Sequence, residues 1–390
     1  MAYKPTSIIF LFLLISSFTL SAQQKLTGRV VEKNSGDPVA FATVQAKNAK
    51  GTLTNGNGEF ELSLTELPIL LGISHLNYEA ITTKVSDASS VLKIELEPKV
   101  LTLKEVKVGN PAVAIMQEAS DKAVKNYKKS NFGKAFLRQI AYDGAKPVYL
   151  NEIFLDAEWR PYGLIAWHPT QARHLESSRG LSYTNFSYYS FVLSGYLPNN
   201  AHKKPMLGRV DSLYTFKLAG TYEQEGQEIA KIICTPRPVL KKGQRFEGTY
   251  YVNTVTNNVL KIEGFIKGVV FTGGGPVSVK NVETILIAQY RLNKAGDNVL
   301  DYSLLNSTNR MKVLGFGVKD TDLYSTLYMV DDEPADQSLL KEVNPRIDDT
   351  NLVKAITYDG DFWRKNQGIK RTDKEQGAIE ILEKISQVNK

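Results

Sequence analysis

Strict alternation of apolar and polar side chains marks much of the first hundred residues as strand. Phe60-Glu61-Leu62-Ser63-Leu64 and Leu92-Lys93-Ile94-Glu95-Leu96 each turn one face to a core and the other to water. Residues 26–32 form a further strand candidate, ended by the turn formers Asn34, Ser35, Gly36, Asp37 and Pro38. Asn55-Gly56-Asn57-Gly58 predicts a tight turn, because Gly and Asn take positive φ at low cost. Five or more strands within residues 23–98, with no helical period, predict a small antiparallel sandwich.

The pattern then changes. Residues 99–110 act as a linker ending in a strand-like run, and Gly109-Asn110-Pro111 breaks it. Asn110 can cap a helix and Pro111 can open one. Ala112, Met116, Ala119, Ala123 and Tyr127 draw one apolar stripe, predicting a helix over about residues 112–129. Its lysines, Lys122, Lys125, Lys128 and Lys129, suit a solvated face and the negative end of the helix dipole. From Ala135 strands return. Asn257-Asn258 predicts a hairpin within residues 249–263, and residues 273–276 (GGGP) turn the chain between two further strands. Leu300, Tyr302 and Leu304 alternate with polar neighbours. Without long helices between these strands, the sheet is an antiparallel meander. Thr372 and Glu375 make a capping box for a last helix, residues 373–388, with Ala378, Ile381, Leu382, Ile385 and Val388 as its stripe. The fold class expected is mainly β: an N-terminal sandwich, then an antiparallel curved-sheet α+β domain over residues 111–390 with helices near its two chain ends.

Composition sharpens location more than function. The 390 residues carry 48 Lys+Arg against 41 Asp+Glu. Lys4 followed by an apolar run over residues 8–20 has the form of a signal peptide, with cleavage expected after Ala22, which leaves 47 − 41 = +6. No later run is long and apolar enough for a membrane helix. The expected product is exported, to the periplasm or the outer membrane of a Gram-negative envelope, with no transmembrane span after cleavage. The one cysteine, Cys234, lies in the apolar run IAKIIC and is expected to be an inert core residue. Basic pairs at Lys128-Lys129, Lys203-Lys204 and Lys241-Lys242 are scattered, which with export argues against nucleic acid.

Four groups of residues carry a resemblance: Gly28-x-Val30; Pro38-Val39-Ala40-x-Ala42-x-Val44; Gly51-Thr52-x-Thr54-x-x-x-Gly58-x-Phe60; and Ser74-His75-x-x-Tyr78. Together they resemble a carboxypeptidase-like regulatory domain, which implies a transthyretin-like β-sandwich and a place in an envelope protein. Thr54-Asn55 stands where that family often has Thr-Asp. No His in the chain is followed by Glu three residues later, so the zinc motif of the metallocarboxypeptidases is absent. The second region is similar to the half-barrels of periplasmic lipoprotein carriers, through Gly220-x-Tyr222, Gly226 and Gly248-x-Tyr250-Tyr251-Val252. Ala135-Phe136-x-Arg138, Glu152 and Phe362-Trp363 look like the uncharacterised region that follows the regulatory domain in envelope proteins, for which no functional residue can be carried over.

Chemistry-bearing motifs are sparse. Phosphate loops and nucleophile elbows have no match. Ser90-x-x-Lys93 lies on a strand, where i and i+3 point to opposite faces. Asn55-x-Asn57-x-Glu59 offers one carboxylate, thin ligation for Ca²⁺, and reads better as a turn. No cofactor is expected. Between Trp159 and Tyr196, 9 of 38 residues are aromatic, and Pro161, Gly163, Pro169, Gly180 and Gly195 argue against long regular structure there. Trp159, Tyr162, Trp167, Tyr188 and Tyr189 are the candidate ligand-binding residues; the same aromatics would equally serve to close one end of the sheet as core. The functional expectation is a non-enzymatic envelope protein binding an envelope protein, glycan or lipid. The alternatives are a carrier that buries an acyl chain and a hydrolase using two carboxylates.

Overall fold

The structure is a computed structural model that describes residues 24–47, 51–100, 102, 110–177, 186–198, 204–240, 243–268, 277–313, 317–333, 336–346 and 348–388. The leader, most of the linker, Tyr183, Lys203, Lys241, Lys242 and the GGGP turn lie outside these residues. The chain divides into two compact units, the first ending at Pro98 and the second starting at Lys99.

In the first unit, β1 (Gln24–Glu32), β4 (Glu59–Leu64) and β7 (Leu92–Leu96) form one sheet. β2 (Thr43–Ala46), β3 (Thr52–Leu53), β5 (Ile69–His75) and β6 (Tyr78–Val85) form the other. The alternation works as read: Phe60, Leu62, Leu64, Ile94 and Leu96 are buried in one core with Leu26, Val30, Val44 and Leu71. One pairing departs from an all-antiparallel sandwich, since β7 runs parallel to β1 after the chain returns from the second sheet. The motif residues have structural duties. Phe60 packs directly over Gly28, where an added Cβ would lie 2.4 Å from its ring. Gly58, at φ 73°, faces the Val30 carbonyl at a distance no Cβ tolerates. The Thr54 hydroxyl donates to the Val39 carbonyl (2.7 Å) and accepts from the Ala42 N–H (2.9 Å). Asn55 Oδ1 accepts from the N–H groups of Asn57 and Glu59, and its Nδ2 donates to Glu59 Oε2 at 3.1 Å. An aspartate could not make that last bond, so Asn suits the turn.

The second unit opens with α1 (Pro111–Lys125), followed by β8 (Asn131–Asp143), β9 (Lys146–Arg160) and β10 (Gly163–Glu176). Then come α2 (Phe186–Leu193), β11 (Tyr214–Gln224), β12 (Gln227–Pro236), β13 (Arg245–Asn253), β14 (Val259–Lys267) and β15 (Val277–Leu292). The rest is β16 (Asn298–Val313), β17 (Gly317–Asp331), β18 (Lys341–Glu342), α3 (Thr350–Lys354), α4 (Gly360–Lys365) and α5 (Asp373–Val388). The eleven strands make one antiparallel sheet in the order β11-β12-β13-β14-β15-β16-β17-β8-β9-β10-β18. It is strongly curved. Cα atoms of β9 and β16 come within 8 Å although β17 and β8 stand between them; a flat sheet would hold them about 14 Å apart.

The inner face of the curve is filled. α1, capped by Asn110 Oδ1 on the Ala112 N–H, buries Ala112, Met116, Ala119 and Ala123 there. It stops at Lys125 and leaves Tyr127 beyond it, 44% exposed, so the predicted stripe ends one member early. α2 is fastened to the same core: Gln139 Nε2 donates to the hydroxyls of Ser190 (3.0 Å) and Ser325 (3.3 Å), which bond each other. Cys234 is fully buried in the same core, and burial pushes its thiol up.

The outer face of β8–β10 is covered too, which explains why those strands lack simple alternation. Phe362 and Trp363 of α4 stack on Phe154, at 5.3 and 5.7 Å between centroids. Ala378, Ile379 and Leu382 of α5 pack on Ile140, Tyr142 and Leu150. The expected stripe is rotated: Ile381 is 48% exposed and Ile379 takes its place. The rotation follows from ion pairs that α5 makes on its inward side, Glu375 to Arg138 (3.5 Å) and Glu383 to Arg173 (3.1 Å). The predicted capping box forms, with Thr372 N–H donating to Glu375 Oε2 and the Glu375 N–H to Thr372 Oγ1.

At the centre of this layer sits Glu152, completely buried. Arg138 and Arg173 lie directly opposite it on the two neighbouring strands. Both guanidiniums donate to its carboxylate, and Arg371 adds two bonds at 3.1 and 3.0 Å. Arg138 also donates to the carbonyls of Gln367 and Ile369. Burial opposes ionisation, yet the three arginines hold Glu152 down to about 2. Its folded-state pKa lies below the unfolded value, so it stabilises the fold above about pH 4.5 and that contribution is lost as pH falls towards 2. Glu152→Gln leaves three guanidiniums around a neutral amide. The expected cost is about 3–5 kcal/mol in denaturant unfolding, with early proteolysis in the chain following Lys365; an unchanged midpoint and cleavage pattern would refute it.

Candidate functional site

The aromatic segment is more regular than expected. Pro161 and Gly163, the latter at φ 127°, form the tight β9–β10 connection, and Pro169 sits at a bulge between Pro169 and Gln171 that spares the ladder its missing N–H. The five candidate residues separate into two groups. Trp159 is 1% exposed and packs against Tyr196 and Tyr290 at 5.8 and 6.1 Å, across the curve of the sheet. Tyr162 and Tyr189 are half-buried against the same core, and the Tyr162 hydroxyl accepts from Arg160. These three contribute to packing.

Trp167 and Tyr188 come together on another feature. With Ser187, Phe191, Asp349 and Leu352 they line a cavity of about 180 Å³. β10 supplies Trp167, the first turns of α2 supply the next three, and the N-terminal end of α3 supplies the last two. β18 closes one side by pairing with Ala166 and Trp167, and the Val343 N–H extends that contact to the Ile165 carbonyl at 2.8 Å. Asp348 Oδ1 accepts from the Thr350 N–H and orders the turn that presents Asp349.

Asp349 is 5% exposed. Its Oδ2 accepts from the Ser187 N–H at 3.1 Å, at the start of α2 where a carboxylate complements the helix end. Its Oδ1 and the Ser187 hydroxyl are buried with no hydrogen-bond partner among the described residues. Burial, reinforced by the charge of Asp348, raises Asp349 to about 7. Behind it His174 Nδ1 bonds Asn151 Oδ1 at 2.7 Å, and Asn151 Nδ2 bonds the Tyr149 hydroxyl. Burial lowers His174, with Lys354 acting in the same direction, so the imidazole is neutral near pH 7. At the far end of α2, buried Lys204 donates to the carbonyls of Leu193 (3.2 Å) and Gly195 (2.9 Å), and burial lowers it to about 7. It is placed to satisfy the helix end.

Among the described residues no group of three or more His, Cys, Asp or Glu is placed to hold a metal ion, and no helix is long and apolar enough to cross a membrane. Sequence reasoning missed Asp349 and Ser187. Asp348-Asp349-Thr350 looks only like a helix start, and nothing local says that a carboxylate there meets α2. The Arg138–Glu152–Arg173 row could not be read by counting, because pairs counted back from the Gly144 turn set Arg138 opposite Asn151, and the register shift between Ala141 and Tyr142 is what brings it opposite Glu152.

Asp349 holds its proton more tightly folded than unfolded, so its contribution is full below about pH 4 and is lost as pH rises through 7. Asp349→Asn keeps an acceptor for Ser187 and removes the titration. Between about pH 5 and pH 8 the wild type is expected to lose stability relative to this variant, by at most about 4 kcal/mol. Thermal unfolding of both across that range checks the sign; parallel curves would refute it.

Among curated proteins, none matches the sequence. Among solved structures, a DUF1329 family protein from Desulfovibrio piger is 14% identical, with 59% of this chain and 98% of that one covered at a TM-score of 0.23. A LolA superfamily protein from Nitrosomonas europaea is 15% identical, with 56% and 94% covered and a TM-score of 0.21. MucB, solved in complex with MucA, is 9% identical, with 55% and 93% covered and a TM-score of 0.18. Likenesses this remote carry no argument for the present chain. The family model of the CarboxypepD_reg-like domain matches residues 26–108, and the N-terminal part of the chain carries that domain.

Proposed function

We propose that the protein is a non-enzymatic, exported cell-envelope protein that binds a ligand or a partner through the cavity between β10, α2 and α3. The observation that carries this reading is the cavity itself: aromatic walls, Trp167 and Tyr188, around two buried polar atoms with unmet hydrogen-bonding capacity. Binding sites are commonly apolar hollows with a few converging polar groups. The first unit, a compact sandwich whose motif residues are spent on turns and core, serves as a docking module in this reading. The acyl-chain carrier is less well supported, because α1 and α2 fill the inner face of the curve where a chain would lie.

A second reading has one observation in its favour. Glu342 lines the cavity together with Asp349, and a carboxyl that titrates near neutrality beside another acid is the pairing glycoside hydrolysis uses. Turnover of a glycoside that disappears in both Glu342→Gln and Asp349→Asn would select it.

The test of the first reading is to extract the native protein from envelopes and identify what accompanies it. Tyr188→Ala, at a half-buried position, is expected to leave the fold intact and to weaken retention of the bound component about tenfold or more. Equal retention by the variant would sink the assignment of this cavity.

A further inference from the structure

We propose that the cavity receives an organic ammonium group carried on a small apolar body, with Asp349 as its counter-ion and Trp167 and Tyr188 as its walls. The inference rests on the reading of this cavity as the binding site and adds the chemistry of what enters it.

The argument starts from how this chain treats its other buried carboxylates. Among the described residues three acids are buried: Glu152, Asp301 and Asp349. Glu152 has three arginines, and Asp301 has Arg291 at 3.5 Å. Among the described residues Asp349 has no cation in ion-pair contact, and its Oδ1 has no hydrogen-bond partner. Removing a carboxylate from water without a counter-charge is costly, and in the other two places the sequence supplies the charge. At Asp349 a cavity stands where the cation would be.

The shape of the cavity narrows the ligand. Asp349 Oδ1 and the Ser187 hydroxyl can both accept, and an ammonium brings three donors and one positive charge. Trp167, Tyr188 and Phe191 add aromatic surface, which attracts a cation over a ring face. A volume of about 180 Å³ exceeds the ~150 Å³ of a cavity known to take up benzene, so a ring-sized body fits beside the charged group. The surrounding charges agree in sign. Around Asp349 stand Asp348 on the preceding turn, Glu176 on β10 and Glu342 on β18. Against them are Lys341 on β18, Lys354 on α3 and Arg346 on the loop between. Lys354 faces Glu176 at 3.9 Å, and His174 and Tyr149 are neutral near pH 7. Counted over these described residues, with Asp349 ionised, one negative charge is left in excess.

The test uses the full chain and isothermal titration with benzylamine, and with benzyl alcohol as its uncharged counterpart. At about pH 8 benzylamine is expected to bind, and at about pH 5.5 to bind about tenfold more weakly, because Asp349 then carries a proton. Benzyl alcohol is expected to bind weakly with no such dependence. Asp349→Asn is expected to lose benzylamine about tenfold or more while keeping benzyl alcohol, which shows that its cavity is intact. A glycyl-lysyl-glycine peptide beside its norleucine counterpart separates a lysine side chain of a protein partner from a free amine, and preferential binding of either amine supports the inference. Benzyl alcohol binding as tightly as benzylamine at the higher pH overturns the ammonium and leaves the cavity reading standing. Wild-type affinity for benzylamine in Asp349→Asn, or no benzylamine binding at either pH, overturns it as well.

Discussion

One buried carboxylate ties the second unit together. Glu152 sits at the middle of β9 with an arginine directly across on each neighbouring strand and a third arriving from the C-terminal segment. A lone charge at that depth would be excluded; with three guanidiniums bonded to it, removing any member strands the others. The same arginines reach outward to Glu375 and Glu383 and to the carbonyls of Gln367 and Ile369. The register of three strands and the seating of the last helix are thereby coupled. Formation of the outer layer and alignment of β8, β9 and β10 become one event.

That coupling matters for the cavity because the same strands carry its wall and its neighbours. The inward side of β8 holds Gln139, which fastens α2 through Ser190, while Trp167 projects from β10 beside it. α2 is further held at both ends, by Asp349 at the first turn and by Lys204 at the last carbonyls. Tyr188 is therefore set on a short helix fixed at three points. A rigid wall of this kind lowers the ordering cost of binding.

The two buried acids of β9 and α3 show opposite answers to one electrostatic problem. Around Glu152 the charged form is favoured by dense pairing, and its pKa falls. Around Asp349 burial outweighs the neutral donors of Ser187 and the nearby backbone, and its pKa rises. The first arrangement is a fastening. The second is strained electrostatically and sits on an opening, which is where perturbed acids mark function more often than structure.

Local pattern determined a good deal. The alternating runs of the sandwich, the Asn110-Pro111 start of α1, the Thr372–Glu375 box and the turn at Asn257, which stands at φ 56°, were all legible, because each depends on contacts within a few residues. The motif Thr54-x-x-x-Gly58-x-Phe60 was legible for the same reason. The parallel pairing of β7, the rotation of α5 and the short helix α2 were not, because partners distant in the chain decide them. Trp159 and Trp167 make the point most sharply. They are alike in sequence, lie on paired strands and are both buried in one core, yet curvature carries one onto Tyr290 and leaves the other lining the cavity beside Asp349. Whether an aromatic side chain is core or binding surface depends on which remote element arrives opposite it, and only the closed sheet brings residues 167, 187–191 and 349–352 to one place.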